Sequence, residues 1–255
     1  MSLFSLKGQV VAVVGAASGI GEAVARGAAG EGASVVALDI DERGLASVCE
    51  AIRKAGGSAS FRRLDIRDRK DVETAFGAID DLEGVVSTPG VNVRKRVLDY
   101  SDEELDRVID INLKGNFHVL QAAGRILSAR KKGSIVLFSS IRSLLVEPGQ
   151  SVYAATKAGV VQMVRGLAAE LGPSAVRVNA VAPGVVETPL TAPIQSNPEW
   201  YRAYAEKNAL KRWASADEMV GPTLFLLSEA ASYVTGAVLF VDGGWTAIDG
   251  RFDPP

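Results

Sequence analysis

The 255-residue sequence contains one cysteine, Cys49, and one histidine, His118. A lone cysteine excludes an internal disulfide and a cysteine-based zinc cage, and it fits a reducing compartment. A lone histidine excludes a two-histidine metal site. Its place inside a helical stretch argues against a hydrolase triad, so His118 reads as a packing or interface residue. Excess charge of one sign is also missing: 28 basic residues face 30 acidic ones, for a net charge of −2. Nothing therefore draws the chain strongly to nucleic acid or an anionic membrane surface. The run Arg130-Lys-Lys-Gly133 reads instead as a helix C-terminus closed by glycine, with cations complementing the helix dipole. Long apolar runs are absent too. Val10 to Val14 is far too short to span a bilayer, and Met1 to Gln9 has no signal-peptide hydrophobic stretch. The expectation is a soluble cytoplasmic protein with no membrane partner, no nucleic-acid partner and no metal. Neither a repeat nor a Pro/Ser-rich linker divides the chain, so one domain over residues 1–255 is expected.

What is present is an apolar fraction of 47%, ample for a sizeable interior. Short β-branched runs alternate with amphipathic segments, which is the signature of an α/β fold with a parallel sheet covered on both faces. The strand candidates are Gln9 to Gly15, Ser34 to Asp39, Ala59 to Asp65, Gly84 to Thr88, Ser134 to Ser139, Val176 to Ala182 and Ala237 to Val241. Helical spacing marks Glu22 to Glu31, Glu42 to Ala55, Lys70 to Ile79, Asp102 to Arg130, Tyr153 to Leu171 and Asp217 to Leu227. The main interruption, Thr188 to Ala214, carries three prolines together with Trp200, Tyr201 and Tyr204. It is a candidate lid, although its aromatic stripe suits ordinary packing equally well. Within it, Ser196-Asn-Pro-Glu199 reads as a capping box opening a short helix.

After the first strand comes Gly15-Ala-Ala-Ser18-Gly19-Ile20-Gly21, a glycine-rich turn leading straight into a helix. Such a turn lets backbone N–H groups approach a pyrophosphate. The next strand ends at Asp39. A carboxylate there can accept both ribose hydroxyls of NAD and repels the extra phosphate of NADP, and no Arg or Lys between Gly15 and Gly21 offsets that repulsion. The alternative is a solvated turn acid in Asp39-Ile-Asp41. Farther on, Tyr153-Ala-Ala-Thr-Lys157 places Tyr and Lys one helical turn apart on one face. A nearby lysine cation favours phenolate and makes the tyrosine a usable base at neutral pH.

With Tyr153 and Lys157 added to the glycine turn, the chain resembles the short-chain dehydrogenase/reductase family in its single-domain form. The likeness covers almost the whole length. It rests on Gly15, Gly19 and Gly21, Asp39, Asp65, Asn112, Ser140, Tyr153, Lys157, and Pro183-Gly184 with Thr188. The resemblance implies a single Rossmann-fold domain, a doubly wound seven-stranded parallel sheet with helices on both faces. It also implies a homotetramer in which the Asp102 to Arg130 and Tyr153 helices pair across a twofold axis.

The catalytic set implied is Asn112, Ser140, Tyr153 and Lys157. In the oxidative direction Tyr153 would take the hydroxyl proton as hydride leaves the carbinol carbon. Ser140 would hold the same oxygen, Lys157 would lower the Tyr153 pKa, and Asn112 would anchor a relay water. The cofactor set implied is Gly15, Ser18, Gly19, Ile20, Gly21, Asp39, Asp65, Ile66, Gly90, Tyr153, Lys157, Pro183, Gly184 and Thr188. Asp65 belongs near the adenine and Thr188 near the carboxamide. The activity implied is NAD-dependent interconversion of a secondary alcohol and a ketone. Alternatives are reduction of a ketoacyl thioester or similar carbonyl, which Asp39 counts against, and a noncatalytic dinucleotide-binding protein.

Two departures stand out. Ser87-Thr88-Pro89-Gly90 replaces the family's Asn-Asn-Ala-Gly, trading two amides for hydroxyls and removing a backbone donor at Pro89. Val14 stands where Thr is frequent. Substrate-facing positions should follow Ser140 and Gly90, which makes Arg142, Gln150 and Arg94 candidates. Arginine's planar fork suits a carboxylate, pointing to a small hydroxy acid or sugar acid. In the competing arrangement Arg142 pairs with Glu147 and the Arg94 to Arg96 run is a solvated loop.

Overall fold

The computed structural model describes residues 3–248. Seven strands form one parallel sheet: β1 (Val10–Val14), β2 (Ser34–Asp39), β3 (Ser58–Arg63), β4 (Leu82–Ser87), β5 (Gly133–Phe138), β6 (Val176–Pro183) and β7 (Val238–Val241). Their order is β3-β2-β1-β4-β5-β6-β7. The chain thus builds outward from β1 in one direction and from β4 in the other. In such sheets the strand order reverses between the two central strands, leaving a crevice at their carboxyl ends.

The α-helices are α1 (Gly19–Gly30), α2 (Glu42–Lys54), α3 (Arg69–Gly77), α4 (Asp102–Ile109), α5 (Asn116–Arg130), α6 (Ser151–Leu171), α7 (Ala192–Gln195), α8 (Pro198–Glu206) and α9 (Val220–Leu227). Two apolar cores lie on opposite faces of the sheet. One packs Val24 and Ala28 of α1, Leu45 and Cys49 of α2, and Leu224 and Leu227 of α9 against Val11, Val13 and Val35. The other packs Val72 and Phe76 of α3, Val119 and Leu127 of α5, and Val160 and Val164 of α6 against Ala12, Val14 and Ile135. Alternate residues of one strand thus serve both cores, which is why the central strands read as continuous β-branched runs. Local signals set the helix starts. Asp41 and Asp68 accept from the first backbone N–H groups of α2 and α3, and Ser101 with Glu104 forms a reciprocal capping box on α4. Each such cap contributes roughly 1 kcal/mol.

Strand bounds agree with the sequence reading to within two residues. Four helical expectations are corrected. The Asp217 to Leu227 segment is α-helical only from Val220, because Ala216–Met219 is a 3-10 turn opened by the Ser215–Glu218 capping box. The Asp102 to Arg130 segment is not one regular helix, because a π turn over Asp110–Gly115 separates α4 from α5. Apolar spacing continues through the insertion and conceals it. The cap of α8 is Asn197, whose side chain accepts from the N–H groups of Glu199 and Trp200; Ser196 instead donates to the Pro193 carbonyl. Asn is as good a cap as Ser, and it lies directly before the proline at the first helical position. Helix α1 begins at Gly19 rather than Glu22, since the glycine turn supplies its first turn. Among the described residues no helix is long and apolar enough to cross a membrane, and no group of three His, Cys, Asp or Glu is gathered to hold a metal ion.

Candidate active site

A cleft of about 590 Å³ opens at the carboxyl ends of β1 and β4. Gly15, Ser18, Gly19, Ile20, Gly21, Asp39, Asp65, Ile66, Gly90 and Thr188 all line it. Pro183 and Gly184 do not: Pro183 ends β6, and the Gly184 N–H is bound by the Val241 carbonyl beside β7. Two glycines in the turn have no substitute. Gly15 adopts φ +83°, and a Cβ there would lie 2.3 Å from Thr88 Oγ1. A Cβ on Gly21 would lie 1.9 Å from the Gly15 carbonyl oxygen, so only glycine lets α1 pack this closely on the turn. Ser18 is the N-cap residue of α1 yet makes no side-chain cap hydrogen bond. The helix therefore presents its first N–H groups to the cleft, a disposition suited to an anion.

Asp39 stands at the rim. Its Oδ2 accepts from the Ala17 N–H at 3.1 Å and its Oδ1 from the Asp41 N–H at 3.0 Å, fixing the carboxylate beside the glycine turn. Asp65 is engaged by Arg67, with Nη2 2.6 Å from Oδ2. The hydrogen bond from Arg67 holds the Asp65 carboxyl below its usual range. His118 packs behind this wall with Nδ1 2.9 Å from the Ile66 carbonyl oxygen, in keeping with the packing role expected of it.

The two hydroxyls that replace amides at the end of β4 have structural uses. The Thr88 hydroxyl reaches the carbonyls of Val14 and Gly15 at 3.0 and 3.3 Å, tying the end of β4 to the glycine turn. Ser87 donates to Asn116 Oδ1 at 2.7 Å, anchoring the start of α5. Asn116 was not anticipated; its spacing of four from Asn112 on a helix was the available signal.

The four expected catalytic side chains, including Tyr153 and Lys157 of the expected cofactor set, do not line this cleft; Asn112 and Lys157 border it at Gly90, and Tyr153 meets the Ser140 hydroxyl. Asn112, carried on the π turn, accepts from the Val91 N–H at 2.8 Å and donates to the Val91 carbonyl at 2.9 Å and to Thr156 Oγ1 at 3.2 Å. Its amide clamps the loop after β4 to α6, which is a positioning role. Its own carbonyl accepts from Asn116 Nδ2 at 3.0 Å. Ser140 follows β5 and accepts from the Arg142 N–H at 3.1 Å.

Tyr153 and Lys157 are buried on α6. Burial pushes the Tyr153 phenol above its ordinary 10, against smaller opposing pulls from the Ser140 hydroxyl and the Arg142 and Arg94 charges. The expected lowering by Lys157 does not dominate here. Its Nζ lies 5.6 Å from the Tyr153 ring centroid and donates to the Phe138 carbonyl at 2.9 Å. Burial holds the Lys157 ammonium down to about 8, from an ordinary 10.5. Between those values the unfolded chain binds more protons than the folded one, so folding stability gains as pH rises through the window. The unfolding free energy, measured relative to Lys157→Met in urea, should therefore rise by about 2 kcal/mol from pH 7.5 to 9.5. Tyr153 contributes little up to pH 9.5, because its phenol stays mostly protonated in both the folded and the unfolded chain there. A pH-independent difference would show that Lys157 titrates normally.

The substrate candidates gather around a residue assigned no site role in the sequence. Arg142 is almost fully buried and pairs with Glu147, and Arg94 reaches the same carboxylate at 3.3 Å. The Arg142–Glu147 pairing weighed above is thus the arrangement observed. Gln150 also donates to Glu147, at 2.7 Å.

The match to known proteins follows this geometry. The family model described as enoyl-(acyl carrier protein) reductase matches residues 15–246. The chain belongs to the short-chain dehydrogenase/reductase family. It is 38% identical over 247 residues to the 3-oxoacyl-[acyl-carrier-protein] reductase FabG of Thermotoga maritima, covering 94% of this chain and 98% of the relative. It is 38% identical to a cyclopentanol dehydrogenase of Comamonas, covering 94% and 97%. The solved gluconate 5-dehydrogenase of Burkholderia cenocepacia, in complex with NADP and tartrate, superposes with a TM-score of 0.92 at 30% identity, covering 96% and 98%. Members of this oxidoreductase family bind a nicotinamide dinucleotide, and the lined cleft, uncapped α1 and glycine contacts fit one.

Proposed function

We propose that this family member interconverts a secondary alcohol and a ketone on a small polar substrate, preferably a hydroxy acid or sugar acid, with NAD as cofactor. The observation that carries the reading is the meeting of Ser140, Tyr153, Lys157 and the Asn112-clamped loop beside the dinucleotide cleft, next to Gly90. Gly15 to Gly21 and the α1 N-terminus would hold the pyrophosphate, Asp39 the ribose hydroxyls, and Thr188 the carboxamide. NAD, when bound, supplies the hydride acceptor. Ser140 donates to the substrate oxygen and fixes it beside the Tyr153 hydroxyl. Tyr153 then takes the hydroxyl proton, and the positive charges of Lys157, Arg142 and Arg94 favour the phenolate that results. In the reverse direction the same phenol returns the proton. Residues 188–214 serve as a lid within one domain of 1–255.

A panel of alcohols, hydroxy acids and sugar acids, followed by NADH absorbance, tests this reading. Turnover confined to ketoacyl thioesters with NADPH would instead favour the carbonyl reductase alternative, which the FabG likeness supports. A cytoplasmic location accords with the single buried thiol, Cys49. The assembly expected is a homotetramer, since Phe117, Leu120, Met163 and Leu167 line an open groove between α5 and α6 and Phe117 is 46% exposed. Sedimentation at low micromolar concentration should give a species near four times the 26.8 kDa chain mass. A lone 26.8 kDa boundary would overturn the assembly.

A further inference from the structure

The Glu147 carboxylate collects donors from four parts of the chain. Arg142, on the turn after β5, donates to Oε2. Gln150, directly before α6, donates to the same oxygen at 2.7 Å. Arg94, from the loop after β4, reaches Oε1 at 3.3 Å. The Tyr204 hydroxyl of α8 lies 2.5 and 2.7 Å from the two oxygens. A carboxylate can only accept, so Gln150 must turn its amide N–H towards it and its oxygen towards Asn92, whose Nδ2 donates at 2.9 Å. One charge therefore sets both amide orientations and docks α8.

Two guanidinium groups meet one carboxylate, leaving one positive charge in excess among these contacts. The cluster adjoins the reacting position. Arg142 is two residues from Ser140 and donates its backbone N–H to that hydroxyl, while Gln150 precedes Tyr153 by three residues. Arg142 has a side chain only 9% exposed, and a guanidinium so enclosed needs an anion opposite it. An acid substrate at this place meets arginines already held by an internal anion.

We propose that Glu147 is the specificity-determining residue of the cluster beside Ser140 and Tyr153: its carboxylate competes with that of an acid substrate for Arg142 and Arg94, and so tunes the site to monoanions. The proposal rests on the acid-substrate reading above. When a substrate carboxylate displaces Glu147 from the arginines, like replaces like and neither guanidinium loses its partner. With Glu147 still close by, one substrate carboxylate brings the cluster to neutrality, whereas a second overshoots it. A neutral alcohol leaves the internal pairing intact and gains nothing from it. Displacement also loosens the hold of Glu147 on Tyr204, which ties acid binding to release of α8.

The test is calorimetric titration of the NAD-saturated protein with D-gluconate and with D-glucitol, which carries a hydroxymethyl group in place of the carboxylate. Glu147→Gln keeps the side-chain volume and removes the competing charge. It should bind gluconate about tenfold more tightly than the wild type, with glucitol unchanged. Tyr204→Phe cuts one hold on Glu147 without altering charge, and should strengthen gluconate binding while leaving glucitol unchanged. If Glu147→Gln does not fold, Glu147→Asp, which draws the carboxylate back by one methylene, should change gluconate binding in the same direction. Equal gluconate affinity in wild type and the Glu147 variants overturns the competition while the acid-substrate reading stands. Gluconate binding to none of these proteins overturns both.

Discussion

Replacing Tyr153 with phenylalanine should lower turnover by about 10²- to 10⁴-fold, the usual range for a positioned acid–base group. The ring remains in its buried place on α6, so only the hydroxyl is lost. Its absence removes a hydrogen bond with Ser140 and the sole atom able to exchange a proton with the substrate oxygen in the proposed mechanism. Dinucleotide binding, followed by protein fluorescence, should be nearly unchanged, because the glycine turn and Asp39 line the cleft and Tyr153 does not. The thermal midpoint should move little, since one hydroxyl hydrogen bond contributes about 1 kcal/mol. Retention of more than about a tenth of wild-type turnover would reassign the proton to another group.

The second large effect concerns the cofactor. Asp39 should make the catalytic efficiency with NAD about 5- to 150-fold higher than with NADP, corresponding to about 1–3 kcal/mol for a carboxylate facing an added phosphate. Two backbone donors, from Ala17 and Asp41, hold the carboxylate in place, so it cannot easily swing away from the phosphate. Of the two arginines lining the cleft, Arg67 is spent on Asp65. Asp39→Ser keeps an acceptor and removes the charge, and should shrink the preference several-fold. Equal efficiency with both cofactors in the wild type sinks the assignment, and the NADP bound by the Burkholderia gluconate 5-dehydrogenase makes this a sharp comparison.

Much of this architecture was legible in the sequence because the physics is local. Val10 to Val14 is buried on both sides and reads as a continuous β-branched run, and Asp41 and Asp68 announce their helices. The glycine turn is legible for the same reason, since only glycine tolerates the Gly15 dihedral and the Gly21 contact. What escaped depends on groups far apart in the chain. Glu147 meets Tyr204 across 57 residues and Arg94 across 53, and no periodicity encodes such a meeting. The state of Lys157 escaped as well, because spacing places it one turn from Tyr153 but does not reveal how fully the surrounding chain strips both of water.

The π turn at residues 110–115 makes α5 unusually sensitive to chain length. Each residue in a helix advances the next by about 100°. Deleting one residue there would restore regular backbone pairing, yet it would swing Asn116 away from Ser87 and carry Val119, Ala123 and Leu127 off the sheet. The irregularity is thus a counting device. It sets the rotational phase of fifteen downstream residues while leaving Asn112 bonded to the loop after β4 that borders the candidate active site. A shorter chain would gain a better helix and lose its core, so insertions and deletions should be tolerated far less here than in the solvent-facing turns at the opposite end of the sheet.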